Sequence, residues 1–177
     1  MQRGFTLIEL IIAVAIIAGL GTVLAQSLFT TTRSSTKVER LTDVKQNGEY
    51  ALAVMERMIR NARSLTASCS GGGTVPASSA AIENRDGYTT TFQCMLDGSV
   101  TRIASVSAFG AQYLTSSSVT LGGATCDADS LVFYCTSIAD VPKSLKITFQ
   151  LSQKGTPVDQ FEKASTAFQT TIGVRSQ

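Results

Sequence analysis

Glu9 is the residue with the most evident chemistry. It stands near the start of an apolar run that carries no other charge as far as Ala25. An acid in such a setting is costly in a membrane and normally takes a partner. A cut after Gly4 would create one, because the new α-amine of Phe5 would lie four residues from Glu9, on the same helical face. The amine could come from the same chain or from a neighbour.

Cys69, Cys94, Cys126 and Cys135 are the next candidates. None forms a CxxC pair, so metal and redox motifs are poorly supported. An even number in an exported chain favours two disulfides, and four cysteines allow three connectivities. The expected pairs are Cys69–Cys94 and Cys126–Cys135, since each closes a local loop. Each would contribute roughly 3 kcal/mol in the chain-entropy model. Four buried thiols in a reducing setting are the alternative.

Other constellations are weaker. Arg57, Arg60 and Arg63 form a basic spiral, readable as a DNA or acidic-partner contact or as a solvated helix end. Asp127, Asp129 and Asp140 would suit calcium by residue type, but the spacing is not that of an EF-hand, and turn aspartates explain them better. Gly71-Gly72-Gly73 lacks the Gly-Lys-Ser/Thr of a phosphate loop. The chain has no histidine, which removes His-based triads, His proton shuttles and most zinc sites. No supported Ser-x-x-Lys motif replaces them. The reading is therefore no enzyme, no catalytic residue, no metal and no cofactor.

The elements that must position these residues start with residues 5–25, which approach the ~20 apolar residues needed to span a hydrocarbon core. This run is too long for a cleavable secretory h-region, although cleavage after Ala25 is an alternative. Ala15 and Gly19 are four apart, a spacing that lets helices approach closely, and Gly21 adds another thin point. Charge is ambiguous about orientation: the leader offers Arg3, the far side Arg33, Lys37 and Arg40.

Gly4-Phe5-Thr6-Leu7-Ile8-Glu9 followed by an apolar run resembles the class III signal of type IV pilins and type II secretion pseudopilins. The resemblance implies that a prepilin peptidase cuts between Gly4 and Phe5 and methylates Phe5. It also implies that Glu9 neutralises the terminal amine of an adjacent subunit during assembly. Major pilins usually carry a proline along this helix. Here none precedes Pro76, which points to a minor pilin or pseudopilin. Ala51–Leu65, with Met55 and Met58 before a cysteine loop, is similar to minor subunits of the group. The resemblance places the leader in the cytoplasm. With the cysteines, this overrules the charge count and puts the C-terminal domain outside.

Residues 26–65 read as an amphipathic continuation of the helix, with apolar positions Leu28, Val38, Leu41, Val44, Leu52, Met55, Ile59, Ala62 and Leu65 at mostly three- or four-residue steps. Thr30–Thr36 and Gly48 are its weak points. Ser68–Ser79 reads as a loop. Strand-like runs follow at Ala81–Asn84, Tyr88–Leu96, Ser99–Ala104, Ser130–Thr136, Ser144–Ser152 and Ser165–Arg175. Arg85-Asp86-Gly87 and Asp97-Gly98 mark hairpins. Ser105–Ala128 reads as an extended loop with a short strand at Val119–Leu121.

The expected fold is α+β: a long N-terminal helix, its first half in membrane or filament, packed on an antiparallel sheet. The expected organisation is a leader at 1–4, an assembly helix at 5–25, its continuation at 26–65 and an exported β-rich domain at 66–177. Charged residues are 16% and net charge is +2, no footprint for nucleic acid. The function this implies is a structural subunit of a type IV pilus-like or type II secretion filament. Its partners are other such subunits, prepilin peptidase and the inner membrane, with DNA the weaker candidate. A filament-tip binding module and a generic membrane-anchored exported domain are the alternatives.

Overall fold

The computed structural model describes residues 6–66, 73–127, 129–138, 141–155 and 164–173; the side chains of 33, 66, 73, 75, 138 and 141–143 are outside that description. One helix, α1 (Leu7–Asn61), is followed by strands arranged in two five-stranded antiparallel sheets. The first sheet has the order β1-β3-β4-β5-β6. Its strands are β1 (Ser64–Thr66), β3 (Ser79–Glu83), β4 (Thr89–Asp97), β5 (Val100–Ser107) and β6 (Gly110–Tyr113). The second has the order β10-β9-β8-β2, with β7 paired to β9. It is built from β2 (Gly73–Ala77), β7 (Val119–Thr120), β8 (Leu131–Ile138), β9 (Val141–Gln153) and β10 (Ser165–Gly173). The α+β arrangement of a pilin-like chain is present: a long N-terminal helix packed on antiparallel sheet.

The 55-residue helix is about 80 Å long at ~1.5 Å per residue. Only its C-terminal part enters the domain. Val44, Gly48, Ala51, Met55 and Ile59 are buried, with Leu41, Leu52 and Met58 packed at the margin. The steps of four, three, four and four residues keep one stripe facing the second sheet. Against it stand Leu145, Ile147, Phe149 and Leu151 of β9 and Phe168 and Ile172 of β10, all buried. Their strict alternation is the two-residue period of a strand with one face covered. Leu28 and Val38 belong to the helical pattern but are 70% and 61% exposed, because the domain stops at Leu41.

Gly48 is a seat rather than a soft point. A Cβ there would lie 2.2 Å from Cζ of Phe168, far inside van der Waals contact. The Phe168 ring in turn stacks on Phe149 with centroids 5.3 Å apart. Thr30–Thr36 is helical throughout. Its hydroxyls help: Thr30, Thr31, Thr32 and Thr36 each donate to the carbonyl four residues earlier at 2.9–3.1 Å. Such back-bonds satisfy the hydroxyls while tending to bend a helix.

Several elements differ from the sequence reading. The helix ends at Asn61 rather than Leu65, and Ala62 turns extended. Pairing with β3 competes for the last residues: Leu65 sits opposite Ile82, and the Arg63 N–H donates to the Glu83 carbonyl at 2.8 Å. Gly73–Ala77, read as loop, pairs with β8 from Gly73↔Ser137 to Ala77↔Phe133. Ser105–Ala128 contains the end of β5, all of β6, and β7 close to its expected place. The 114–122 segment also ties the sheets together. Leu121 N–H donates to the Thr101 carbonyl at 3.0 Å, and the Thr101 and Thr120 hydroxyls are 2.8 Å apart.

Both hairpin signals hold, the second with a shift. Gly87 has φ +83° in the β3–β4 turn. Asp97 pairs with Val100, so Gly98 and Ser99 form the β4–β5 turn and Gly98 takes φ +62°.

Replacing Gly48 by Ala tests the seat. Helix propensity alone favours Ala by about 1 kcal/mol, whereas overpacking at Phe168 costs about 1–3 kcal/mol. Net destabilisation is expected in denaturant unfolding of the full chain in detergent. The cost should shrink when Phe168→Leu is also present. An additive double variant would refute the contact.

Candidate assembly site

From Leu7 to Thr32 every residue of the helix is exposed. Leu7, Ile8, Leu10, Ile11, Ile12, Val14, Ile16, Ile17, Leu20, Val23 and Leu24 are each at least 53% exposed. They point in every direction around the axis, so no soluble face is left. By length and composition this segment is long and apolar enough to cross a membrane. Gly19 and Gly21 have nothing within 4 Å of where a Cβ would stand. The thin face with Ala15 is therefore open to another helix.

Glu9 lies in the first turn of α1 and is exposed. Its backbone N–H donates to the Thr6 carbonyl at 3.1 Å. Among the described residues it has no ion-pair partner. Gly4 and Phe5, the predicted processing pair, lie outside the described residues.

Where the helix enters the domain, a polar clasp fixes it. Asp43 and Asn47, one turn apart, bond to the loop after β6. The Ser116 N–H donates to Asn47 Oδ1 at 2.7 Å, and Ser118 Oγ donates to Asp43 Oδ2 at 2.8 Å. Asn47 Nδ2 donates back to Asp43 Oδ1 at 2.9 Å, aligning the pair. The loop is held from the other side by the Lys154 N–H donating to the Ser118 carbonyl at 2.9 Å. This clasp escaped the sequence reading. Its only signal was an Asp and an Asn at i,i+4 beside an apolar stripe.

Two of the three arginines of the basic spiral face a carboxylate. Arg60 pairs with Glu56 at 2.6 Å, and Arg63 lies 3.7 Å from Glu83. A further arginine carried no signal in the sequence. Arg102 is 13% exposed, pairs with Asp97 at 2.5 Å, donates through Nε to the Thr115 carbonyl at 2.8 Å and lies 4.1 Å from the Tyr113 ring centroid. It joins β5, β6 and the β4–β5 turn as a structural cation.

The disulfide pairing differs from expectation. Cys94 bonds to Cys126, with Cα atoms 5.6 Å apart and a sequence separation of 32. This overturns both Cys69–Cys94 and Cys126–Cys135. Neither expected local loop closes, because Cys94 on β4 and Cys126 before β8 are bonded to each other. Cys135 is nevertheless disulfide-bonded, and its partner lies outside the described residues, as does Cys69.

Asp127 behaves as a turn residue: its carboxylate accepts from Thr125 Oγ1 at 3.0 Å and its N–H donates to Ser130 Oγ at 3.2 Å. Asp140 lies outside the described residues. Two shallow hollows, about 380 and about 330 Å³, open on the second sheet; their charged lining is Asp129 in one and Lys146 in the other.

Residues 1–24 match the family model of the prokaryotic N-terminal methylation motif. They are a prepilin signal of the type IV pilin and pseudopilin kind. The match ends within the exposed apolar part of α1 and does not reach the domain. Neither the curated proteins nor the solved structures compared gave a match. The prepilin signal, continuous with a free apolar helix on a disulfide-bonded domain, supports a pilin-like or pseudopilin-like exported subunit. Such a signal implies assembly with other pilin-type subunits and processing by a prepilin peptidase.

Asn47→Ala removes the acceptor of the Ser116 N–H. About 1 kcal/mol of stability should be lost, and amide exchange at Ser116 should rise at least several-fold while β9 stays protected. Unchanged exchange at Ser116 would show that the clasp does not hold the loop.

Proposed function

We propose that the chain is a minor pilin or pseudopilin: a structural, non-catalytic subunit of a type IV pilus-like or type II secretion filament. The carrying observation is the prepilin signal running without a break into a helix that is apolar on all sides and has no cover within its own chain. Before assembly, the helix sits in the inner membrane as a single pass with the leader in the cytoplasm. Prepilin peptidase removes residues 1–4 and methylates Phe5. The helix then moves from lipid into the filament, with residues 41–177 outside the cytoplasm. Part of α1 belongs to that exported unit, because its buried stripe completes the core.

Glu9 supplies specificity in this transfer. Lipid tails and helix surfaces are similarly apolar, so little hydrophobic energy separates the two states. A carboxylate–amine pair at ~4 Å contributes about 4 kcal/mol at an effective dielectric near 20, before desolvation. Pairing Glu9 with the Phe5 amine of a neighbour would set axial register between otherwise slippery helices. The absence of proline before Pro76 supports a minor subunit, since the helix keeps its hydrogen bonds through this region. A DNA-uptake role is less favoured: Arg60 and Arg63 already face Glu56 and Glu83.

Mass spectrometry of the mature N-terminus tests the reading. The expected product begins at Phe5 and carries one added methyl group. An intact leader, or a cut after Ala25, would overturn it. Glu9→Ala should leave membrane insertion near wild type and lower filament incorporation at least ten-fold. Normal incorporation would remove the proposed role of Glu9.

A further inference from the structure

One segment of α1 lies between two parts that are held in different ways. Thr30–Thr36 follows the apolar run, which continues to Phe29, and precedes the clasp at Asp43. Thr30, Thr31, Thr32, Ser34 and Ser35 are exposed, and Thr36 is half-buried. Its described side chains make no hydrogen bond outside the helix. A hollow of about 770 Å³ opens along one face, lined by Thr30, Thr31, Ser34, Ser35, Val38 and Glu39. That face has no packing partner among the described residues.

The segment is also a poor helix former. Ser and Thr stand low on the helix scale, and β-branched Thr loses rotamer freedom against the preceding turn. In a folded protein, packing supplies most of a helix's stability, and here packing is missing. Thr30, Thr31, Thr32 and Thr36 donate to the carbonyls of Gln26, Ser27, Leu28 and Thr32. Those carbonyls also serve the backbone ladder, so sharing them weakens it and favours a bend. With water around it, an opened backbone bond is replaced at once by one to solvent. The flanks differ. Beyond Leu41, Val44, Ala51 and Met55 are buried, and Asp43 and Asn47 are bonded to Ser118 and Ser116. Before Thr30 the run is apolar, and in lipid its backbone bonds have no water to compete with them. No proline fixes a kink between the two parts, so opening is reversible.

We propose that Thr30–Thr36 is a hinge, where the apolar half of α1 changes its angle to the domain as the subunit passes from lipid into the filament. The use of the hinge in that transfer rests on the filament-subunit reading; its existence does not. In lipid, bilayer thickness and interfacial side chains set the tilt of a single helix. In a filament, neighbouring helices set it. The clasp and the Gly48 seat admit one register, so they cannot absorb the difference. A few residues between two rigid bodies can.

The test places spin labels on the full chain in lipid nanodiscs. One pair, Ser27→Cys with Thr42→Cys, brackets the segment. The other, Thr42→Cys with Arg57→Cys, has the same spacing within the seated helix. Both pairs would lie ~22 Å apart along a straight helix at ~1.5 Å per residue. The bracketing pair should give a distance distribution at least twice as wide as the seated pair. Replacing Thr30, Thr31, Thr32 and Thr36 together by Ala should narrow it to the width of the seated pair. Equal widths in the wild-type sequence, or no narrowing in the Ala variant, would overturn the hinge. In the native assembly system the Ala variant, processed and with its Cys94–Cys126 bridge intact, should enter filaments at least five-fold less. Incorporation at the wild-type level would overturn the role of the hinge in transfer. A wild-type chain that is unprocessed and absent from filaments would sink the subunit reading and leave the distance result standing.

Discussion

The seating of α1 on the second sheet is the contact on which the structure depends. One helix meets two surroundings. From Leu7 to Thr32 it is exposed on every side; from Leu41 it presents a buried stripe to β9 and β10. Without that stripe the inner face of β9 would lose its cover, since Leu145, Ile147, Phe149 and Leu151 are all buried. Burying side chains of this size contributes about 1.5–3 kcal/mol each. The anchoring helix is thus also a core element, and anchor and domain cannot be separated at the edge of the sheet.

Three kinds of contact hold the seat, each different in direction. The apolar stripe supplies most of the area but little positional precision along the helix. Gly48 and Phe168 add shape, because the ring occupies the space a Cβ would take. Asp43 and Asn47 add hydrogen bonds whose geometry allows one register against Ser116 and Ser118. Together they set the direction in which the apolar half leaves the domain. In a filament that direction, together with any bend at Thr30–Thr36, would control how domains are spaced around a helical core.

The exported domain is tied across its sheets by contacts distant in sequence. Cys94 and Cys126 connect β4 to the loop before β8, while Thr101 and Thr120 link β5 to β7. Arg102 fastens the β4–β5 turn to the segment after β6. These bonds serve stability. They leave the proposed chemistry of assembly outside the domain, at Glu9.

Residues 1–25 and the strong periodicities were legible in the amino-acid sequence alone. An apolar run with one acid, a three-and-four stripe from Leu41 to Ile59, and alternation in Leu145–Leu151 are local patterns, each imposed by the geometry of one element. The fold class follows from them, as do the main strands and the prepilin character. What tertiary structure decided was every feature that joins separate elements. The helix stopped at Asn61 because β3 offered its next residues a pairing partner. Gly73–Ala77 became a strand because β8 lay beside it. Cys94 paired with Cys126 because the fold brings β4 beside the segment before β8. Gly48 changed from a weak helical residue into a seat because Phe168, 120 positions later, packs on it. Local sequence carries propensity and period; it has no access to which distant surfaces will meet, and that is where the clasp and the bridge arise.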